Sequence, residues 1–185
     1  SFKPVVYTTA FANGYSPNTV LFDVETDFPT DSGNYHPRNF SLGTSGPIVM
    51  RRALGQSLNI PAVKTLYLVG QDKVLDTADS LGYTSLTDRD RYGLSLALGA
   101  GEVKLLEHTS AFATFAREGE RHPTASILNV VDRQGNSLYE WSDASAQAVD
   151  KTAVQLLNNV LSDQSARAGF GALNISGRTI AAKTG

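Results

Sequence analysis

Apart from one irregular stretch, apolar residues keep helical spacing as far as Arg117, then alternate, and return to helical spacing over Asp150 to Leu161. One element cannot serve a 3.6-residue and a two-residue period at once, so this order restricts the fold to helices packed on a sheet, an α+β domain. Lys3 to Gly14 is the first predicted helix, with Pro4 in its first turn and Val5, Val6, Thr9, Ala10 and Phe11 toward a core. Tyr15 to Gly46, broken by Pro17, Pro29, Gly33, Pro37 and Gly43, is a long loop with short strands. A loop of that length inside a compact domain is more often functional than idle.

Ser45-Gly46-Pro47 has the composition of a helix start, followed at helical spacing by Met50, Ala53, Leu54 and Ser57. Asn59-Ile60-Pro61 ends that helix and opens another, which stops near Gly70; a third runs from Asp72 to Gly82. Glu102 to Arg117 is a longer helix, with Val103, Leu106, Ser110 and Ala113 in one stripe and Leu105, Phe112 and Phe115 beside it. Ser126 to Asp132, the turn Gln134-Gly135-Asn136, and Leu138 to Trp141 make a hairpin. Thr179-Ile180-Ala181-Ala182 is predicted to be a strand leading into Lys183.

Several function classes are disfavoured at once. The 185 residues contain no cysteine, which removes disulfides, thiolate metal sites and cysteine nucleophiles. A formal net charge of -2 gives no sign of a nucleic-acid partner. No apolar run approaches the ~18–20 residues that span a bilayer. His36, His108 and His122 share no ligand spacing and are read as structural or surface residues, so neither a metal nor a cofactor is expected.

Three short patterns stand in order along the chain: Ser1-Phe2-Lys3-Pro4, Ser57-Leu58-Asn59 and Lys183-Thr184-Gly185. Each alone fits a bland role, as a solvated charge, a helix end with its cap, or a strand end with a turn. Their order and flanks do not. The set resembles the Ser-x-x-Lys, Ser-x-Asn and Lys-Thr-Gly motifs of penicillin-binding proteins and class A β-lactamases. The flanks Arg52 to Lys64, Leu94 to Glu107 and Gly177 to Gly185 are similar to those of class A, bifunctional penicillin-binding proteins, and the resemblance covers nearly the whole chain.

The first motif departs from the pattern, because Ser1 lies two residues before Lys3 rather than three. Residues three apart share a helix face and residues two apart do not. Ser1 is therefore read as the first variable position, and the nucleophile is expected immediately before it. A degenerate, inactive site is the alternative. On this reading residues 1–185 are part of a single transpeptidase domain, from just after the nucleophilic serine to the Lys-Thr-Gly motif.

The resemblance implies a penicillin-binding transpeptidase fold with a helical lobe and an antiparallel sheet. It implies a D,D-transpeptidase that cross-links peptidoglycan stem peptides through a serine acyl-enzyme and is acylated by β-lactams. Lys3 would be the base, its pKa lowered by burial or by nearby positive charge, which Lys183 could supply. Ser57 would pass a proton to the leaving group. Asn59 would hold Lys3 and bind the substrate amide, and Lys183, Thr184 and Gly185 would take the donor carboxylate and the substrate strand. A glycosyltransferase domain in the same polypeptide, an extracytoplasmic site and an anchor outside this segment are implied in the same way.

Two rivals remain at this level. A β-lactamase or carboxypeptidase would send the acyl group to water, but no Glu-x-x-Leu-Asn segment of the class A β-lactamase kind is present. A sensor or inactive module of the same fold would bind β-lactam or peptidoglycan without turnover.

Overall fold

The computed structural model describes residues 2–30, 33–167 and 175–184. Helix α1, Lys3–Ala12, lies at the centre, with every residue from Lys3 to Phe11 buried. A helix that is apolar all round belongs inside. The two threonines on it are satisfied locally: Thr8 donates to the Pro4 carbonyl at 2.8 Å and Thr9 to the Val5 carbonyl at 2.9 Å. Such back-bonding lets a buried hydroxyl stay in a helix interior without an orphaned donor.

The long loop that follows holds three strands, β1 Val20–Asp23, β2 Phe28–Thr30 and β3 Gly33–Tyr35, and β4, Gly46–Val49, comes next. β2 and β3 form one antiparallel pair, β1 and β4 another, with Leu21 opposite Ile48 and Phe22 opposite Pro47. This corrects the helix start expected at Ser45-Gly46-Pro47. Proline at the edge of a two-stranded pair forfeits no ladder bond it must have. The run Val20-Leu21-Phe22 supplies a partner strand, so the segment is extended and α2 begins only at Met50.

α2, Met50–Gly55, and α3, Asn59–Val69, meet at a three-residue turn, and α4, Gln71–Ser80, follows after Gly70. α5, Leu105–Ala116, starts three residues later than its predicted start at Glu102 and buries another face. Ala111, Thr114 and Phe115 point inward, whereas Leu105 and Leu106 are 82% and 65% exposed. The stripe through Leu106 and Ala113 is therefore not the packing face. Short turns precede α5 at Arg89–Arg91 and Leu94–Leu98, and Leu96 and Ala97 of the second reach the core.

The short pair of β5, Glu120–Arg121, with β8, Ala146–Gln147, flanks the predicted hairpin, which forms from β6, Asn129–Val131, and β7, Ser137–Glu140. α6, Lys151–Ser162, packs on α1 through Ala153, Val154, Leu157, Val160 and Leu161. Its N-terminus is capped by the Asp150 carboxylate, which accepts from the Ala153 N–H at 2.7 Å. The segment 179–182 pairs with no strand among the described residues; its Ala182 N–H donates to the Leu161 carbonyl of α6 at 3.1 Å. An apolar run becomes a strand only where a neighbour offers its N–H and C=O groups, so the predicted strand is not observed here.

No described helix is long and apolar enough to cross a membrane. The end of α2 is packed tightly against the chain after α6: a Cβ on Gly55 would lie 2.5 Å from the Ala166 carbonyl oxygen. Gly55→Ala is therefore expected to destabilise the fold by about 2 kcal/mol through overpacking against backbone, read from denaturant unfolding of the variant against the wild type. An unchanged midpoint would mean that the chain around Ala166 gives way freely.

Candidate active site

The three motifs are far apart in sequence, and the fold brings them to one place. Lys3, in the first turn of α1, is 6% exposed. Its Nζ donates to the Ser57 carbonyl at 2.6 Å, to Asn59 Oδ1 at 2.7 Å and to Ser57 Oγ at 3.2 Å. An ammonium has three protons to give, and these contacts use all of them.

Ser57 sits in the turn that ends α2, with φ +59°. Its N–H donates to the Leu54 carbonyl and the Leu58 N–H donates to the Ala53 carbonyl, each at 3.0 Å. This is the Schellman closure of a helix, whose left-handed position normally goes to glycine. A serine in that place turns its hydroxyl out of the turn and between two lysines. Lys183 Nζ reaches Ser57 Oγ at 2.7 Å, and also the Thr184 carbonyl at 2.8 Å and Thr184 Oγ1 at 3.2 Å. A hydroxyl accepts two hydrogen bonds and donates one. With both lone pairs taken by ammonium groups, the Ser57 proton is left free to be given elsewhere.

Burial disfavours charge on both lysines. It lowers Lys3 to about 8, with the positive charge of Lys183 adding to the effect, and burial alone lowers Lys183 to about 8. Each amine therefore has a larger neutral fraction near neutral pH than a solvated lysine.

Asn59 opens α3. Its Nδ2 donates to the Arg38 carbonyl at 2.9 Å, which leaves Oδ1 for Lys3. Under it lies a buried polar pair from the long loop. Asn39 is 3% exposed and Asp23 fully buried. Asn39 Oδ1 accepts the Asn59 N–H at 2.8 Å and the Ile60 N–H at 3.2 Å. Asn39 Nδ2 donates to Asp23 Oδ1 at 2.8 Å and to the Gly43 carbonyl at 2.9 Å, and the Ser45 N–H reaches Asp23 Oδ2 at 2.8 Å.

Lys3, Ser57, Asn59, Lys183 and Thr184 are thus together; Gly185 and Ser1 lie outside the described residues. Arg38, Asn39 and Asp23 were not singled out by the sequence. Loop length pointed to their segment, but no period or motif picks those residues from it. Each histidine is hydrogen-bonded to a side chain: His36 to Asp27, His108 to the Tyr83 hydroxyl and His122 to Asp143. Among the described residues no cluster of three or more histidine and acidic side chains could hold a metal ion. Glu107 is structural, accepting from Thr84 and Lys104 at the edge of α5, and the Thr84 hydroxyl leads in holding its carboxyl down to about 2.

The model of the penicillin-binding protein transpeptidase domain matches residues 1–185. Penicillin-binding protein 2D of Bacillus subtilis is 32% identical over 98% of this chain and 26% of its own length. Penicillin-binding protein 1B of Vibrio cholerae is 32% identical over 99% of this chain and 24% of its own length. The chain thus spans about a quarter of these relatives. Among solved structures, the D,D-transpeptidase domain of the peptidoglycan glycosyltransferase from Eggerthella lenta superposes with a TM-score of 0.80 at 23% identity, over 100% of this chain and 52% of that one. Penicillin-binding protein 1A from Haemophilus influenzae also gives 0.80 at 23% identity, over 95% of this chain and 30% of that one. At such identities the structural likeness is one of fold.

Proposed function

The chain belongs to the penicillin-binding protein transpeptidase domain family, and from that premise we propose that it supplies the core of a D,D-transpeptidase centre that cross-links peptidoglycan stem peptides through a serine acyl-enzyme. The observation that carries this reading is the Ser57 hydroxyl held between two lysines, 3.2 Å from Lys3 Nζ and 2.7 Å from Lys183 Nζ. We place residues 1–185 within a single transpeptidase domain, with the nucleophilic serine immediately before Ser1, one helical turn ahead of Lys3.

The chemistry follows from the geometry. A serine hydroxyl is a poor nucleophile and needs a base near neutral pH. Neutral Lys3 takes the serine proton as the serine oxygen bonds to the carbonyl carbon of the scissile amide. Ser57, whose lone pairs face both lysines, passes a proton to the departing amine as the C–N bond breaks. The second substrate's amine then attacks the ester, loses its proton to the same groups, and frees the serine. Charged Lys183 with the Thr184 hydroxyl binds the donor's terminal carboxylate, and Gly185 continues that strand. Asn59 holds Lys3 and offers its amide to the substrate.

A β-lactam presents a strained amide and a carboxylate to the same groups, but its leaving amine stays tethered and blocks the second step. The substrate places the domain outside the cytoplasmic membrane. The Eggerthella lenta structure is the transpeptidase domain of a peptidoglycan glycosyltransferase, which supports a glycosyltransferase domain in the same polypeptide here.

Labelling of the intact protein with a fluorescent penicillin tests the reading. Expected is a covalent adduct that unlabelled penicillin prevents, together with transfer of a donor peptide to a D-amino-acid amine. A folded protein that forms no adduct sinks the proposal; an adduct without transfer to any amine makes the domain a sensor.

A further inference from the structure

The polar pair beneath Asn59 has the geometry of a device rather than of packing. A helix leaves its first N–H groups without intrahelical partners, and a side chain at the position before the helix usually takes one of them. In α3 that position is Leu58, which has no side chain for the task. All four groups are nevertheless accounted for. The Leu58 N–H closes the turn on the Ala53 carbonyl. The Asn59 and Ile60 N–H groups both go to Asn39 Oδ1, and Pro61 has no N–H. The cap is thus supplied from a residue 20 positions away.

The same loop also decides which way the Asn59 amide faces. The Arg38 carbonyl can only accept, so it must meet Nδ2, and Oδ1 is thereby turned to the Lys3 ammonium. Asn39 itself cannot rotate its amide. Nδ2 is fixed by two acceptors, Asp23 Oδ1 and the Gly43 carbonyl, and Oδ1 by two donors. Every polar atom of the buried amide therefore has a partner of the right sense, which makes the network rigid.

Resting on the transpeptidase reading, we propose that Asn39, held by Asp23, is a positioning residue that sets the amide of Asn59 and through it the place of the Lys3 amine. Neither Asp23 nor Asn39 touches the reacting atoms. They act by fixing the turn that carries Ser57 and the first residue of α3, at the base of the site where the long loop crosses it. Removing Asn39 frees two N–H groups, takes the partner from Asp23 Oδ1 while Oδ2 keeps the Ser45 N–H, and allows the Asn59 amide to turn.

The test measures covalent labelling of the intact protein by a fluorescent penicillin, separating the limiting acylation rate from the concentration for half-saturation. Asn39→Ala is expected to lower the limiting rate of the folded protein about 30-fold, with half-saturation little changed, because misplacing a catalytic group costs rate more than binding. Asn59→Ala should lose a similar amount, and the double variant no more than about threefold beyond it, because two residues acting through one path are not additive. The exchange Asp23→Asn with Asn39→Asp restores the bond between the two side chains and keeps an acceptor on the helix, at the cost of the Gly43 contact. Its rate should return to within about fivefold of the wild type.

Asn39→Ala acylating at the wild-type rate, or losses that multiply with those of Asn59→Ala, would overturn the assignment. Should Asn39→Ala fail to fold, the exchange variant decides alone: a folded exchange variant as slow as Asn59→Ala rejects the role. A wild-type protein that takes no label is a different result, since it rejects the transpeptidase reading itself.

Discussion

Replacing Lys3 with methionine is expected to lower the limiting acylation rate by roughly 10³- to 10⁴-fold, the upper part of what a positioned general base contributes. Methionine keeps nearly the length and volume of lysine, so α1 should stay packed, but it can neither take the serine proton nor bond to Ser57 and Asn59. Lys3→Arg is the informative companion. It retains the charge and the donors, yet guanidinium stays protonated at every working pH and cannot act as a base. A comparable loss in both variants assigns the role to the neutral amine; near-normal acylation by the arginine variant would show that charge, not basicity, is what the site needs.

The pH dependence carries the same message. Lys3 is lowered to about 8, so the wild-type rate should rise as pH increases toward and through that value and the amine loses its proton. The methionine variant should lack this limb. The sign for stability also follows. The folded state gives up the Lys3 proton near 8 and the unfolded chain near the ordinary 10.5. Between the two the unfolded chain binds more protons, so stability gains as pH rises through that window. That gain should be smaller in the methionine variant, measured as unfolding midpoints at several pH values between those limits.

What could be read from the sequence divides along physical lines. The turn between α2 and α3 was legible because Asn59-Ile60-Pro61 interrupts a helical period, and the burial of Leu157, Val160 and Leu161 followed from spacing alone. Lys183 could be placed near Ser57 only through the motif resemblance, since no local pattern spans 126 positions. Other features depend on which partner arrives. Gly46-Pro47 suits a helix start and an edge strand equally, and Val20 to Phe22 decided for the strand. On α5 several apolar residues compete, and the neighbouring elements selected Ala111, Thr114 and Phe115 over Leu105 and Leu106. The bond between Asp23 and Asn39 has no signature at all, because a buried polar pair in an irregular loop leaves no period in the sequence.

Ser57→Gly is expected to cut acylation by roughly 10²- to 10³-fold, the share of a positioned proton donor, while relieving backbone strain in the turn. The two effects have one origin. At φ +59° a residue with a Cβ is strained by about 1 kcal/mol, and the Schellman closure of α2 is a position that glycine fills without that strain. Serine is nevertheless present, and its hydroxyl is the atom on which Lys3 and Lys183 converge. Removing the hydroxyl leaves each ammonium without a shared acceptor and the leaving amine without a donor.

Ser57→Ala separates the two contributions, since it deletes the hydroxyl but keeps the Cβ. Both variants should acylate equally slowly, yet the glycine variant should be the more stable by about 1 kcal/mol, reduced somewhat by the added freedom of its unfolded chain. Unfolding midpoints and acylation rates on the same preparations give both numbers. Equal stability of the two variants would mean that the turn carries no strain, and rapid acylation by either would remove Ser57 from the proton path. The expected pattern, a glycine variant more stable than the alanine variant and neither of them reactive, would show that the turn holds a strained residue because the chemistry requires a hydroxyl at that point.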